Sequence, residues 1–401
     1  MKTVGIIAEC NPFHKGHAYL IQRAKEIAGA DYAVVILNGD FVQRGEPAIF
    51  DKYTRARAVL DGSADLVFEL PVRFGISSAG DFALGGVMAL NALGFVTDLC
   101  FGSECGNLSA LQRVAGELYK ESDSFHTALT KYLSAGLSYP HARTKALEDT
   151  WDFSADNGEK ENLSALLHEP NNILGIEYCL ALKKTGSTLI PHTIQREGMA
   201  YHATESKHSV FPSATALRKE IMTSSIPHLC LDDFSSVIGY ALLSSEDLTK
   251  YKDIPEKLAN RMNSRLNDFT TATEYIEDCR TRAFTEGRIR RGILQCMLGI
   301  TGDCDYTLTG ANTMPYLRLL GMKKSASSVL SHFAKGVSED SSQTGLTILS
   351  RLATDSKKLG IKENALLSQD IFAADLYRQV WCRKYGEHRL NEYQHSLLVA
   401  E

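Results

Sequence analysis

Apolar and polar positions alternate along the first forty residues in a way that predicts two strands with a helix between them. Thr3–Ala8 is a short apolar run with β-branched residues, and from His17 onward the apolar side chains recur every three or four positions. Asp31–Asp40 has a continuous apolar centre, which is typical of a parallel strand buried on both faces. A right-handed βαβ unit is therefore expected at the start of the chain.

The same alternation continues beyond this unit. The further predicted elements are a helix over Thr54–Gly62, a strand over Ala64–Pro71, a helix over Phe82–Gly94, a strand over Thr97–Glu104, a strand over Thr188–Glu197 and a helix over Ser213–Met222. Residues 107–185 have mostly helical spacing, with a polar loop at residues 152–162. Strands that alternate with helices, without internal repeats, predict a doubly wound, Rossmann-like α/β domain.

The character of the chain changes after Ile226. From there the spacing of apolar residues is helical and strand signals are few, so we predict a mostly α-helical C-terminal region. No long linker rich in Ser, Gly or Pro marks the change. The predicted division is an α/β catalytic domain over residues 1–225 and a helical domain over residues 226–401.

Composition narrows the function classes only a little. The chain has 401 residues, of which 44% are hydrophobic and 23% charged, and Lys+Arg 43 against Asp+Glu 48 gives a net charge of −5. This balance disfavours a surface that is basic throughout, but it leaves room for a local basic patch. The nine Cys include no CxxC pair, which disfavours zinc ribbons and thioredoxin-like motifs. Since no apolar run reaches the ~18 residues of a membrane span, we expect a cytoplasmic protein with free thiols.

The most informative segment is the loop that follows the first strand, Asn11–His17. In open α/β sheets, ligands bind at the carboxyl ends of the strands. Gly16 lets the backbone approach a ligand at a helix start, where unpaired N–H groups attract phosphate. His14 and His17 can donate hydrogen bonds to phosphate oxygens during attack on an α-phosphate, and Lys15 can neutralise charge nearby. The alternative interpretation of the two histidines is that they only cap the helix or satisfy hydrogen bonds in the core.

A second candidate phosphate site lies in Ser213–Arg218, which reads SATALR. Ser213 and Thr215 can cap a helix while Arg218 points toward its phosphate-binding end. A plain helix N-cap is the simpler alternative for this segment taken alone. The chain has neither a Walker sequence nor a GxGxxG fingerprint, which disfavours P-loop hydrolysis and dinucleotide-dependent redox chemistry.

The HxGH arrangement in the first loop resembles the signature of the nucleotidylyltransferase and class I aminoacyl-tRNA synthetase superfamily. The segments AECNPFHKGH, NGDFVQRGEPAIFDKYTRA, FELP, FGSE, PNNILGIEY and SATALRK together resemble the bacterial tRNA(Met) cytidine acetate ligase family. This resemblance implies an enzyme that activates acetate with ATP as an acetyl-adenylate and then forms N4-acetylcytidine at the wobble position of elongator tRNA(Met). ATP, expected as its magnesium complex, is then a substrate, and we expect neither a tightly bound cofactor nor a metal ion held by protein ligands.

The same resemblance implies a set of ATP-binding residues. Those in the first loop and its flanks are Ile7, Ala8, Glu9, Cys10, Asn11, Pro12, Phe13, His14, Lys15, Gly16, His17, Ala18, Tyr19 and Leu20. Elsewhere the nucleotide contacts of the family correspond to Gly102, Arg196 and one of Asn171 and Asn172, which the sequence does not distinguish. Gly102 is alternatively an ordinary turn glycine, and Arg196 a surface arginine. Cys10 is interpreted as a packed residue rather than an acyl carrier.

Charged residues in two further segments are candidates for binding the other substrates. After the second strand, a loop that can cover acetate or receive cytidine contains Arg44, Glu46, Asp51 and Lys52, for which solvated surface charges are the alternative. In the helical region, five arginines within twelve residues, opposed only by Glu286, predict a tRNA-binding face, with a solvated helix face as the alternative. The five are Arg280, Arg282, Arg288, Arg290 and Arg291. A weaker candidate is the C-terminal set Arg383, Lys384 and Arg389.

Two other functions fit the same residues. A small-molecule nucleotidylyltransferase, which joins AMP to a mononucleotide or to phosphopantetheine, shares the HxGH loop but rarely needs a long helical extension. An RNA-binding protein that a bound nucleotide only regulates is the non-enzymatic alternative. Entry of label from acetate into tRNA separates the first alternative from an acetate ligase, and dependence of pyrophosphate release on acetate separates the second.

Overall fold

The strands of the protein form one large sheet and one short hairpin. The computed structural model describes residues 1–151, 160–196, 213–302, 314–330 and 346–401. The strands in these ranges are β1 (Thr3–Ala8), β2 (Tyr32–Asn38), β3 (Phe41–Val42), β4 (Glu46–Pro47), β5 (Leu66–Leu70), β6 (Asp98–Ser103), β7 (Ile190–Gln195), β8 (Tyr316–Lys323), β9 (Thr347–Leu349) and β10 (Leu398–Ala400). The hairpin pairs β3 with β4, and the other strands belong to the large sheet.

Helices connect the strands and form most of the remaining structure. They are α1 (Lys15–Ala28), α2 (Lys52–Asp61), α3 (Val72–Gly75), α4 (Ala79–Ala92), α5 (Leu108–Lys120), α6 (Asp123–Ser134), α7 (Tyr139–Thr150), α8 (Lys160–His168), α9 (Pro170–Thr185), α10 (Ala214–Thr223), α11 (Ser235–Ser244), α12 (Glu256–Arg265), α13 (Ala272–Cys279), α14 (Glu286–Leu298), α15 (Leu352–Asp355) and α16 (Ile361–Tyr385). The bounds differ from the predicted ones because caps set the ends of helices: Asp51 accepts the N–H of Thr54 and starts α2 before the predicted residue.

Five strands of the large sheet have the topology that the alternating pattern predicts. The order β5-β2-β1-β6-β7 is parallel throughout, so the chain winds to one side of β1 and then to the other. Helices α1 and α2 cover one face of these strands, and α4, α5 and α9 cover the other. This arrangement confirms the doubly wound α/β fold. Because the winding direction changes between β1 and β6, a crevice opens outside their carboxyl ends.

Three strands in the last third of the chain were not predicted. β8 runs antiparallel to β5, and β9 and β10 run parallel to β8, so the C-terminal region extends the sheet of the α/β domain. Tyr316–Lys323 is a short apolar run, which the sequence pattern cannot distinguish from a segment of buried helix. Its pairing with a strand about 250 residues earlier is decided by tertiary contacts.

The predicted helical character is confirmed between residues 226 and 298. Helices α11 to α14 share an apolar core with α16, and Phe41 and Val72 from the α/β part also belong to this core. The Phe41 and Phe234 rings meet edge to face with centroids 5.5 Å apart, and the Tyr377 hydroxyl donates a hydrogen bond to the carbonyl of Ala48. The short β3–β4 hairpin is therefore held against the helical region. The domain boundary between residues 225 and 226 stays a prediction.

Two smaller expectations concern cysteines and membrane helices. The eight cysteines within the described ranges are free, while Cys304 lies outside these ranges. None of the described helices is long and apolar enough to cross a bilayer. The predicted polar loop at residues 152–162 falls largely outside the described residues, which resume at Lys160 where α8 begins.

Candidate functional site

A cavity of about 400 Å³ opens at the crevice between the carboxyl ends of β1 and β6. Its lining comes from the end of β1, the first turn of α1, the end of β6, and the first turns of α9 and α10. The predicted residues that line it are Ile7, Ala8, Glu9, Cys10, Asn11, His14, His17, Leu20, Gly102, Asn171, Arg196, Ser213, Thr215 and Arg218. Segments as distant in sequence as the first loop and the SATALR segment are thus brought to one site.

The other predicted ATP-binding residues do not line this cavity. They are Pro12, Phe13, Lys15, Gly16, Ala18, Tyr19 and Asn172. The side chain of Lys15 is exposed at the start of α1. Phe13 packs over Gly62, where an added Cβ would overlap its ring. These residues support the loop from outside the cavity rather than facing into it.

His14 and His17 form a reciprocal cap at the start of α1. The Nδ1 of His14 accepts the Gly16 N–H at 3.0 Å, and the Nδ1 of His17 accepts the His14 N–H at 3.3 Å. An imidazole nitrogen that accepts carries no proton, so each neutral ring bears its proton on Nε2. The alternative role of helix capping is therefore real, but it uses only one nitrogen of each ring. Both rings line the cavity, where Nε2–H remains a donor.

The electrostatics of the site keep both imidazoles neutral. Burial lowers the pKa of His14 to about 4, and the positive charges of Arg196 and Arg218 act in the same direction. Burial likewise places the pKa of His17 well below its ordinary value, with further lowering by His14 and Arg196. A neutral imidazole can donate a hydrogen bond to phosphate, and it avoids the cost of burying a further positive charge beside the two arginines.

Gly16 has a steric role that its sequence position did not reveal. A Cβ at this residue would lie 2.9 Å from Cε1 and 3.0 Å from Nδ1 of His14. The absence of a side chain lets the His14 ring fold back over the first turn of α1 and cap it. The glycine in the motif therefore allows the histidine geometry, in which the N–H of Gly16 itself is bound by Nδ1 of His14.

The SATALR segment closes one side of the cavity. Ser213 caps α10 by accepting the Ala216 N–H at 3.1 Å. Arg218 is buried; its Nη1 donates to the Asn11 carbonyl at 2.7 Å and its Nη2 to Thr215 Oγ1 at 3.2 Å. The arginine therefore ties α10 to the first loop. Its charge is held beside the two histidines, where negative charge on a phosphate would be stabilised.

The opposite side of the cavity distinguishes the two asparagines. Asn171 lines the cavity, and its Oδ1 lies 3.5 Å from Nη1 of Arg196. Asn172 is buried away from the cavity and accepts the Cys105 N–H at 3.0 Å. A Cβ at Gly102 would lie 3.3 Å from Cγ of Arg196. Gly102, Asn171 and Arg196 thus form one wall, and their role as nucleotide contacts stays a prediction, whereas Asn172 supports the backbone behind this wall.

Comparison with known proteins shows the family of this chain, and the matches cover nearly its whole length. A model of the HIGH Nucleotidyl Transferase family matches residues 1–392. A tRNA(Met) cytidine acetate ligase from Alkaliphilus metalliredigens is 34% identical, and the match covers 94% of this chain and 99% of that protein. Another from Acetivibrio thermocellus is 34% identical, with 100% of both chains covered. The chain belongs to the tRNA(Met) cytidine acetate ligase family of HIGH nucleotidyl transferases.

Two solved structures of a related protein are similar to this chain over its full length. The crystal structure of Thermotoga maritima TmcAL bound with alpha-thio ATP has a TM-score of 0.85 and 28% sequence identity, and the match covers 100% of both chains. An apo form of the same protein has a TM-score of 0.86 and 29% identity, covering 100% of this chain and 99% of that one. The similarity therefore extends through the helical region as well as the α/β part.

Among the cavity residues that the sequence interpretation missed or left without a firm role are three polar ones. Gln43 and Arg44 reach the cavity from the β3–β4 hairpin, and Tyr178 reaches it from α9. Glu9 accepts the backbone N–H of Gln43 at 2.7 Å, which anchors the hairpin to the end of β1. Burial raises the pKa of Glu9, while the charges of Arg44 and Arg218 oppose the shift. Sequence periodicity carries no signal for such contacts, because they depend on where the hairpin folds.

The segment around Lys52 has a structural role that differs from the prediction. Lys52 is fully buried; its Nζ lies 2.8 Å from Oε1 of Glu69 and 2.8 Å from Oε2 of Glu392. Asp51 caps α2 and pairs with Arg389, and neither Asp51 nor Lys52 lines the cavity. Of the four predicted residues, only Arg44 lies at the cavity, since β4 and the start of α2 turn back into the protein core.

The five predicted tRNA-binding arginines are opposed by more carboxylates than the sequence indicated. Arg290 pairs with Glu286 and Glu46, Arg291 pairs with Asp253, and Arg280 pairs with Glu277. The expectation that only Glu286 opposes them is wrong, because Asp253 and Glu46 approach from other elements and Glu277 lies one helical turn before Arg280 on α13. A continuous basic face along α14 is therefore not present, although Arg282 is exposed and Arg288 lacks a carboxylate partner among the described residues.

Proposed function

We propose that this protein uses ATP to activate acetate and transfers the acetyl group to N4 of the wobble cytidine of elongator tRNA(Met). Its relatives carry the name of this activity, and Thermotoga maritima TmcAL was crystallised with alpha-thio ATP. The observation that carries the proposal is the pair of neutral imidazoles, His14 and His17, at the N-terminus of a helix in the cavity at the switch point. This arrangement suits a triphosphate.

In the first step, an acetate oxygen attacks the α-phosphorus of ATP. A P–O bond forms, the bond to the β-phosphate oxygen breaks, and pyrophosphate leaves. We propose that Nε2–H of His14 and of His17 donates to phosphate oxygens as their negative charge grows, while Arg218 stabilises the leaving pyrophosphate. Lys15, which is exposed, contributes charge at a distance. ATP enters as its magnesium complex, so the metal ion belongs to the substrate.

The adenosine part of ATP then lies against the wall formed by Gly102, Asn171 and Arg196. Gly102 leaves space at the end of β6, where Arg196 already approaches the position of its missing side chain. The walls of the cavity include Phe101 and Tyr178, whose ring centroids are 5.3 Å apart and which offer apolar surface to a purine. Burial of the base and binding of the phosphates together fix the α-phosphorus for in-line attack.

In the second step, N4 of cytidine attacks the carbonyl carbon of the acetyl-adenylate. A C–N bond forms, the C–O bond to AMP breaks, AMP leaves, and N4 loses one proton to water. No enzyme nucleophile is required. Cys10 lines the cavity, but burial raises the pKa of its thiol to about 12, so the reactive thiolate is absent at neutral pH. This supports direct transfer from the adenylate rather than through an acyl-cysteine.

The remaining assignments follow from this function. We propose that tRNA is held by the helical region over residues 226–401, with Arg282 and Arg288 contributing more than Arg280, Arg290 and Arg291, which pair with carboxylates. A tRNA substrate implies a cytoplasmic enzyme. Acetate fits the phosphate side of the cavity, where it must lie in line with the leaving group.

The experiment that tests the proposal measures both steps. Purified protein is incubated with ATP, labelled acetate and a tRNA(Met) transcript, and both acetate-dependent pyrophosphate release and label in RNA are followed. We expect pyrophosphate release to depend on acetate and the label to reside in N4-acetylcytidine. Adenylyl transfer to a mononucleotide without any need for acetate would instead favour the small-molecule nucleotidylyltransferase.

A further inference from the structure

A second cavity of about 680 Å³ lies beside the ATP cavity and shares part of its wall. Gln43, Ala79 and Ile173 line both cavities. One wall of the second cavity consists of α4, α6, α7 and α9, and the other of residues 283–291 with Asp253. We call this second cavity the side cleft. An acyl acceptor that approaches through the side cleft reaches the ATP cavity at Gln43.

The charged groups of the side cleft are mostly neutralised within the protein. Arg143 pairs with Glu177, and Arg291 pairs with Asp253 at 2.9 Å. Asp81 pairs with Lys252 at 2.8 Å. The remaining acidic residue, Glu121, is exposed at the far end. The acids of the cleft therefore do not give it a strong negative field.

Arg288 is different from the other arginines of the cleft. Its Nε donates to the carbonyl of Asp253 at 3.0 Å, but no carboxylate of the described residues pairs with its guanidinium. It is half-buried, and burial lowers its pKa, with Arg291 adding to the shift and Asp253 opposing it. A partly desolvated cation without a counter-ion favours binding of an anion. On the opposite wall, Lys184 is a second cation without a carboxylate partner in the described ranges.

Gln43 offers a polar group where the two cavities meet. Its backbone N–H is used by Glu9, whereas its side-chain carboxamide has no hydrogen-bond partner among the described residues. A carboxamide N–H can donate to N3 of cytosine, which is an acceptor. Because the exocyclic N4 is next to N3 on the Watson–Crick edge, this hydrogen bond would hold N4 close to Gln43, where the two cavities meet. Uridine carries a proton at N3 and would not accept the same hydrogen bond.

The apolar side of the cleft suits an unstacked nucleotide. Phe125, Tyr139 and Leu180 line it, and of these Tyr139 is exposed, at 48% of the residue's surface. Bases of single-stranded RNA stack on such side chains while their phosphates bind cations. The wobble position lies in a loop of tRNA, so little pairing has to be broken for the base to enter.

We propose that the side cleft is the channel for the acceptor strand of the reaction, in which Arg288 binds a backbone phosphate of the RNA and Gln43 positions the cytosine for attack. The inference rests on the proposed function, since it requires an acetyl-adenylate in the ATP cavity. It also assigns separate roles within the arginine segment: Arg288 acts at the reacting nucleotide, whereas Arg282 lies outside the cleft.

The test compares Arg288→Gln and Gln43→Ala with the control Arg57→Gln, which removes a charge from an exposed residue of α2 outside both cavities. Acetate-dependent exchange of pyrophosphate into ATP reports on the first step, and acetylation of a tRNA(Met) transcript reports on both. We expect Arg288→Gln to raise KM for tRNA about tenfold. The slope of the logarithm of the tRNA binding constant against the logarithm of salt concentration should become shallower by about one. Exchange should stay within about twofold of the wild-type rate.

Gln43→Ala should lower kcat/KM for tRNA by about 10- to 100-fold, a larger loss than its effect on the rate of exchange, as expected for loss of a base contact. Arg57→Gln should match the wild-type protein in both assays. If Arg288→Gln fails to fold, which loss of exchange would reveal, Lys184→Gln takes its place and should raise KM for tRNA severalfold. Normal KM values for tRNA in the folded variants would overturn the assignment of the cleft. Absence of acetate-dependent exchange and of RNA acetylation in the wild-type protein would instead overturn the proposed function itself.

Discussion

His14 and His17 cap the same helix turn through reciprocal hydrogen bonds, and their ring centroids lie only 3.9 Å apart. Each ring uses Nδ1 to accept a backbone N–H, so its Nε2 keeps the proton. Capping and phosphate binding are therefore not competing explanations of the motif. The cap fixes the tautomer and the direction of each ring, and this fixed direction lets the second nitrogen act as a donor without reorganisation.

The first prediction separates the two roles of His17. Replacement by Ala should lower the rate of acetyl-adenylate formation about 100-fold or more, as expected for loss of a donor to the transition state. Replacement by Gln, a residue that serves the same position of a capping box, should recover the helix cap but not the rate. The measurement is acetate-dependent pyrophosphate exchange, with thermal unfolding as the report on the cap.

Lys15→Ala is the matched comparison for His17, because Lys15 lies two residues away but is exposed and does not line the cavity. We expect its rate of exchange to fall by less than tenfold. A loss as large as that of His17→Ala would show that the lysine turns into the site when ATP binds. A normal rate in His17→Ala would remove the imidazole from the mechanism.

The second prediction concerns pH. The pKa of His14 is lowered to about 4 in the folded protein, against about 6.5 in an unfolded chain. Between these values the unfolded chain binds more protons, so the free energy of unfolding rises with pH through this window and falls as pH drops toward 4. His14→Asn, which keeps an N-cap without a titrating ring, should show a weaker pH dependence. Urea unfolding of both proteins at pH 4.5, 5.5 and 7, in steps of roughly one pH unit, measures the difference.

The same prediction has a consequence for activity. Because both imidazoles are already neutral at pH 6, the rate of adenylate formation should show no titration of His14 or His17 near the ordinary histidine pKa. Titration of His14 followed by NMR provides the direct check. A midpoint near 6.5 for His14, or equal pH slopes of unfolding in the wild-type protein and His14→Asn, would contradict the assignment.

The third prediction distinguishes Asn171 from Asn172. Asn171→Ala should raise KM for ATP, because its side chain lines the cavity beside Arg196. Asn172→Ala should instead lower the free energy of unfolding by about 1–3 kcal/mol, because the Cys105 N–H loses its acceptor. Kinetics with varied ATP and urea unfolding of both variants give the comparison. The opposite pattern would exchange the roles of the two residues.

The fourth prediction concerns the buried ion pairs around Lys52. Lys52→Met should reduce the free energy of unfolding by about 3–5 kcal/mol, because Glu69 and Glu392 would share a buried site without this cation. Arg23→Gln, which removes a cation from the surface pair with Glu26, should change it by less than about 1 kcal/mol. Denaturant unfolding of both variants provides the measurement. Equal effects would show that Lys52 is not paired as described.

The architecture around β1 and the chemistry of the first loop could be predicted from the order of residues alone. Alternating runs of apolar residues predicted the βαβ units, and the position of the HxGH motif after the first strand predicted a phosphate site, because local periodicity and short motifs depend on neighbouring residues only. The SATALR segment was recognised for the same reason. In each case the residues that carry the signal lie within about two turns of one another.

Tertiary structure decided the rest. β8 joined the sheet through pairing with β5, Lys52 found its second carboxylate at Glu392, and Asn171 rather than Asn172 reached the cavity. The arginines of α14 met carboxylates from other elements, while Gln43 came to lie where two cavities join. Contacts between distant segments depend on the packing of whole elements, and no spacing along the chain encodes them, so only the folded structure shows which charges are paired and which remain available to a substrate.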